Sequence, residues 1–314
     1  MGKTWVGVLF GFLIVGALLG GLELAVRRGL LGGAGRPAKR GEPRSLRELA
    51  SDVSYWLLGP ALIHPIVQFV VVSVIVLAAL LAGAHLGGEG IRVFLASVAA
   101  RSPVSKLPLP LQFLLGLALA DLIAYWTHRA FHRVRRLWPF HAVHHSSARL
   151  DWLAAARVHP VNEVVSRAAL SLPLVFLGFD WRVFGAAAPA LTLYAILLHA
   201  DVPWTFGSLR FVIASPRFHR WHHTSADEGL DRNFAGLFPI WDLLFGTFYM
   251  PAHEPTKFGV REDVPTTILG QLAYPFRTRA PEHPASAPGA STKDASPTAA
   301  SAGGRRLPTQ RIAS

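Results

Sequence analysis

The sequence has no cysteine, which excludes disulfides, cysteine-ligated iron–sulfur clusters and thiol catalysis. It is also short of charge: only 16% of its 314 residues are Asp, Glu, Lys or Arg, and acids are outnumbered 19 to 31 by Lys and Arg. There is no HExxH for a zinc protease, and the Glu plus Glu-x-x-His pattern of soluble di-iron bundles is missing too. No internal repeat occurs apart from an HxxHH echo. The surplus of base, a formal +12, lies beside apolar runs and in the C-terminal tail rather than among exposed aromatics. That distribution argues for membrane flanks and against nucleic acid.

What is abundant is apolar surface. Hydrophobic residues make up 51% of the chain and the mean hydropathy is +0.35. They gather in long runs: residues 4–22 carry no charge, 61–82 only His64 as a titratable group, and 107–127 only Asp121 as a charge. Each is about long enough for a ~30 Å hydrocarbon core at ~1.5 Å per residue. The first run reads as a retained anchor rather than a signal peptide, because it exceeds the usual ~7–15-residue apolar core and Glu23, Arg27 and Arg28 follow it without a small-residue cleavage site.

Topology follows from charge. The loop 27–54 holds Arg27, Arg28, Arg36, Lys39, Arg40, Arg44 and Arg47, which places it in the cytoplasm. Span two then runs outward, with Pro60 and Pro65 confining its regular helix to the part beginning near Ile66. The loop 87–106 lies outside. Span three returns inward and delivers His128 at its cytoplasmic end. Two later apolar runs, 168–179 and 183–198, are split by Asp180 and Arg182; both look too short to cross and read as a re-entrant or shallow helical hairpin. Beyond about Ala280 the chain is rich in Ala, Ser, Pro, Gly and Thr, and residues 285–314 are expected to be a disordered, dispensable tail.

Ten of the 14 histidines fall between His128 and His223. His128 and His132 stand four apart; His141, His144 and His145 follow; His219, His222 and His223 repeat that second spacing. Residues three and four apart share a helix face, so each cluster can aim at least two imidazoles at one point. A lone histidine beside an apolar run is more often a satisfied core residue than a ligand. A random HxxHH, however, is expected only roughly 0.03 times in such a chain. With His199, nine candidates are metal ligands, and His159 is a weaker tenth. One zinc takes about four ligands and an octahedral ion six, so nine histidines point to two ions. Asp121 lies two turns before His128 on the same face and is expected to orient a ligand imidazole.

The motifs HRAFH, HAVHH and HRWHH, with the following DRNFAG and WDLLFGT, resemble the histidine boxes and closing motif of the fatty acid hydroxylase and sterol desaturase superfamily. Phe234 stands where that motif commonly carries tyrosine, and no haem-binding HPGG segment is fused to the chain. The resemblance implies an all-α polytopic membrane protein, with transmembrane helices capped by a cytosolic helical histidine-box domain. It also implies two Fe ions, O2 as co-substrate, a lipid substrate and a separate ferredoxin- or cytochrome-like electron donor. Asn233, in the closing motif, is a further candidate to act behind the ligands. The implied division is a membrane anchor at 1–106 with two transmembrane helices, a catalytic domain at 107–255 and an extension at 256–284. Hydroxylation and desaturation both fit. A histidine-rich metal transporter or a zinc-dependent membrane hydrolase is the alternative, although transport ligands belong within spans near the midplane and these follow the spans.

Overall fold

The structure, a computed structural model, describes residues 2–31, 44–85 and 88–277. Arg36, Lys39 and Arg40 of the basic loop, and the tail expected at 285–314, lie outside the described residues. Twelve α-helices are described: α1 Gly2–Val15, α2 Gly21–Arg27, α3 Leu46–Leu58, α4 His64–Leu81, α5 Gly88–Arg101, α6 Leu109–Arg133, α7 Trp138–His145, α8 Pro160–Phe176, α9 Trp181–His199, α10 Pro216–His222, α11 Ile240–Leu244 and α12 Ile268–Arg277. No strand occurs among the described residues; one isolated bridge pairs Thr224 with Phe258.

Among the described residues, four helical stretches are long and apolar enough to cross a membrane: Leu9–Arg27, Leu46–Leu81, Leu109–Arg133 and Trp181–His199. The second differs from expectation. A Ser45–Glu48 capping box starts α3, which continues through a π-helical turn at Gly59–Ile63 directly into α4. The wider turn accommodates the Pro60 ring where a regular α-turn would clash with the carbonyl four residues back. Pro65 takes an early position in α4, so neither proline breaks the 36-residue helix.

The fourth corrects the reading of run 183–198 as too short. Asp180 accepts from the backbone N–H of Arg182 at 2.9 Å and pairs with its guanidinium, so these charges cap the helix entrance instead of interrupting it. The helix that results is 19 residues long. Gly178 (φ +76°) closes α8 in the left-handed region, and a Cβ there would lie 2.8 Å from that of Ser102. The segment expected as an outer loop is mostly helical over 88–106, as α5 and a 3₁₀ turn.

α6 binds the body together. Gly116 lets α9 approach closely, since a Cβ there would meet Val183 at 3.0 Å. Tyr125 is fully buried in a core with Leu198, Phe218 and Phe234. A second core joins Tyr55 of α3 to Trp138, Ala142 and Val143 of α7 and to Tyr274 of α12. The histidine-bearing ends of α6, α7, α9 and α10 meet between these two cores.

Candidate metal centre

Each box is delivered by the last turns of a helix. α6 brings His128 and His132, α7 brings His141, His144 and His145, α9 ends on His199, and α10 brings His219 and His222 with His223 as its cap. They form two groups, His128, His132, His141, His145 and His222 in one and His144, His199, His219 and His223 in the other. Within each group the offered nitrogens lie within 4.8 Å of one another. Stacking of His145 on His223, 4.3 Å between ring centres, joins the groups.

The contacts are all Nε2 to Nε2: His128 to His141 at 3.0 Å, His145 to His132, His141 and His222 at 3.1–3.2 Å, and His199 to His144 and His219 at 3.2 Å, with His219 to His223 at 3.1 Å. The other ring nitrogens settle where the protons are. Nδ1 of His128, His144, His199 and His222 faces the carbonyls of Phe234, Arg157, Ala195 and Arg232, and Nδ1 of His132 and His141 faces Asp231 and the Asn162 amide oxygen. These partners only accept, so Nδ1 carries the hydrogen and Nε2 is left with a bare lone pair. Lone pairs converging at about 3 Å repel unless a cation stands among them, and neutral imidazole is a good donor to Fe, Zn, Cu or Ni. The donor set fits a metal on chemical grounds.

Burial holds His141, His144, His145, His219, His222 and His223 well below the usual imidazole value, and neighbouring imidazoles add to the effect. In the unfolded chain the same rings take protons below about pH 6.5, whereas the folded rings stay neutral. Their contribution to stability is therefore present above that value and lost as the pH falls. The metal-stripped chain is expected to lose stability steeply between pH 6.5 and 5, at about 1.4 kcal/mol per pH unit for each such ring. Thermal unfolding in detergent across this range measures it; a flat profile would contradict the neutral cluster.

The segment 231–234 serves three of the five imidazoles of the first group. The Asp231 carboxylate and the Arg232 and Phe234 carbonyls reach three imidazoles within four residues, and Asp231 and Asn233 adopt positive φ (55° and 60°) to do so. Asn233 touches no imidazole. Its amide donates to the Phe218 and Tyr249 carbonyls and accepts from Tyr249 N–H, which clamps the segment to α10. Asp242 accepts from the N–H groups of Phe234 and Ala235 and from Thr247 Oγ1. Burial raises the Asp242 carboxyl above its usual range.

Asp121 does not make the imidazole contact expected of it. Its two oxygens accept from the backbone N–H groups of Leu237 and Phe238 at 2.9 and 2.7 Å, so it holds the loop whose carbonyls orient the ligands. His159 stands outside both groups: it caps α8 through Nδ1, which accepts from Val161 N–H, while Nε2 donates to the Leu272 carbonyl. Phe234 turns its ring edge-on toward His128, His132 and His222 and, being buried, leaves no hydroxyl to satisfy.

A further layer escaped the sequence. Asp52 of α3 pairs with Arg157 at 2.6 Å and with Arg44 at 3.1 Å, and the Arg157 carbonyl is the acceptor for His144. On the other side, Glu23 accepts from the N–H groups of Trp152 and Asp201, and Asp201 pairs with Arg220 of α10. A partly open cavity of about 530 Å³ borders His128, His141, His144, His199 and His219, and so reaches both groups. Its remaining walls come mainly from α3, the π-helical turn, α6, α8 and α9.

Residues 113–247 match the family model described as fatty acid hydroxylase. An ornithine lipid hydroxylase of Rhizobium tropici is 35% identical over 170 residues, 54% of this chain and 51% of that protein. Alkylglycerol monooxygenase of Homo sapiens is 31% identical over 146 residues, covering 46% of this chain and 32% of that protein. A putative methylsterol monooxygenase of Dictyostelium discoideum is 26% identical over 153 residues, 48% and 56% of the two chains. The matched region thus spans between a third and somewhat over half of these relatives. No solved structure matches the chain. The matched segment carries all nine clustered histidines and the loop that orients them, so it is this part of the chain that is similar to the fatty acid hydroxylase family.

Proposed function

We propose that the chain is a multi-pass membrane enzyme that hydroxylates a lipid C–H bond at a non-haem di-iron centre, using O2 and electrons from a separate ferredoxin- or cytochrome-like protein. The observation that carries this reading is the convergence of nine Nε2 atoms in two adjoining groups on one cavity. The nine imidazoles together exceed what one ion accepts, and their division into five and four matches two coordination spheres. Iron held there would supply the activation of O2. The chain's own residues hold and orient: Asp231, Asn162 and four backbone carbonyls fix the imidazole tautomers, while Asp121, Asp242 and Asn233 hold the loop that bears two of those carbonyls. The largely apolar cavity walls admit a lipid and exclude water. The relatives named for ornithine lipid hydroxylation and alkylglycerol monooxygenation favour a lipid substrate, and hydroxylation over desaturation.

Elemental analysis of the purified chain tests the centre. About two irons per chain, with O2 and reductant consumed together with a lipid, are expected. About one metal per chain, or turnover without O2, would sink the di-iron reading and favour a hydrolase or a transporter.

We further propose that the histidines face the cytoplasm, on the strength of the basic residues at Arg27, Arg28, Arg44 and Arg47. The chain lacks cysteine, so a single introduced thiol is a clean reporter. Arg136→Cys should be labelled only from the cytoplasmic side and Glu89→Cys only from the opposite side; labelling of both from one side would refute the orientation.

A further inference from the structure

The cavity beside the histidines is not uniformly apolar. Glu163 and Arg167, one turn apart on α8, are ion-paired on its wall, and His64, Ser166 and Thr192 line the same cavity from α4, α8 and α9. This pair does not belong to the metal site. None of its atoms bonds an imidazole of either group, and among the described residues its only ion-pair partners are each other. Its place is nonetheless close to the centre, because the residue before Glu163 is Asn162, which holds His141 at 2.9 Å. Arg167 follows Asn162 by five residues, about 7.5 Å along the helix axis.

A charged pair on the wall of a lipid-facing cavity is costly to desolvate and is seldom placed there for stability; such pairs mark the path or seat of a polar ligand. The two side chains are 20% and 39% exposed, so both heads remain open to an occupant of the cavity. Their charges sum to zero. An anionic headgroup would satisfy Arg167 and strand Glu163, and a cationic one would do the reverse. A headgroup bearing both charges satisfies each partner when it displaces their mutual contact. The cavity, at about 530 Å³, holds a headgroup and its nearest carbons but not the whole of a two-chain lipid.

We propose that Glu163 and Arg167, with His64, Ser166 and Thr192, form a subsite for a zwitterionic lipid headgroup, placing the carbon to be oxidised near that headgroup rather than at the far end of an acyl chain. The inference rests on the lipid-hydroxylase reading for the chemistry at the histidines, but not for the binding. The headgroup's cation faces Glu163 and its anion Arg167, while the acyl chains leave along the apolar faces of α4 and α8.

The test is lipid binding to the full chain in nanodiscs without reductant, so that nothing turns over and the result does not depend on iron count or O2. The probes are lysophosphatidylethanolamine, lysophosphatidate and monoacylglycerol with the same acyl chain. The wild type should bind the zwitterionic probe about tenfold or more tighter than either other probe. Glu163→Gln and Arg167→Gln should each abolish that preference. Unchanged binding of monoacylglycerol reports that each variant is folded; if a variant binds no probe, the comparison of the three probes on the wild type decides by itself. Equal affinity for all three probes on the wild type, lysophosphatidate binding as tightly as lysophosphatidylethanolamine, or a preference that survives both substitutions would overturn the proposal.

Discussion

His144→Ala and His222→Ala are each expected to abolish turnover, and to do so by emptying different halves of the centre. His222 belongs to the five-membered group, where its Nε2 stands 3.1 Å from that of His145; His144 belongs to the four-membered group, 3.2 Å from His199. Losing one nitrogen leaves four imidazoles in the first case and three in the second. His144→Ala should therefore lose more metal than His222→Ala, falling from about two ions per chain to about one, whereas His222→Ala should retain part of its second ion. Turnover should fall by more than the ~10- to 100-fold typical of losing an outer partner. Membrane insertion should be unaffected, because it depends on the apolar helices. Elemental analysis of both membrane-extracted variants is the measurement. Wild-type metal content in His144→Ala would contradict the assignment.

The nine clustered histidines were legible because helical ligands announce themselves locally: three- and four-residue spacings fix a face whatever the rest of the chain does. Their partners were not. Four of the six Nδ1 acceptors are backbone carbonyls, which carry no side-chain signature, and the Phe234 carbonyl lies 106 residues from His128. The sequence shows Asp121 as a lone carboxylate near the end of a span but not its partners, which are N–H groups 116 and 117 residues downstream. His159 stands apart from every HxxHH spacing, and its place before Pro160 makes it the cap of α8. Among the helices, Pro60 and the Asp180–Arg182 pair misled for one reason. Each was read as a break, whereas a π-turn absorbs the first and a helix cap uses the second. The contributions of α3 and α12 are illegible because both lie outside the box region and meet it through residues distant in sequence, Asp52 of α3 by pairing with Arg157 and Tyr274 of α12 by packing on α7.

That remote layer yields the other large effect. Asp52 is fully buried on α3, 105 residues from Arg157, and it faces two guanidiniums whose side chains are 1% and 10% exposed. The wild-type cluster is tolerable because one carboxylate is shared between Arg157 and Arg44, and Asp151 takes the far side of Arg44 at 2.9 Å. Asp52→Ala removes the shared anion and leaves Arg157 buried without a counter-charge, an arrangement that costs about 3–5 kcal/mol. Part of that cost can be relieved only by moving Arg157, and its carbonyl is what fixes the Nδ1–H of His144. The variant should therefore unfold at lower temperature and also bind metal less well in the four-histidine group, by the ~10- to 100-fold expected when a ligand loses its orienting partner. Replacing the arginine as well, in Asp52→Ala/Arg157→Met, removes the stranded charge, so the double variant should be more stable than the sum of the single losses predicts, with a coupling of about 1–3 kcal/mol. Thermal unfolding of the two single variants and the double variant, with metal content measured on the same samples, closes the cycle. Stability of Asp52→Ala within about 1 kcal/mol of wild type would show that the cluster is better solvated than its burial implies.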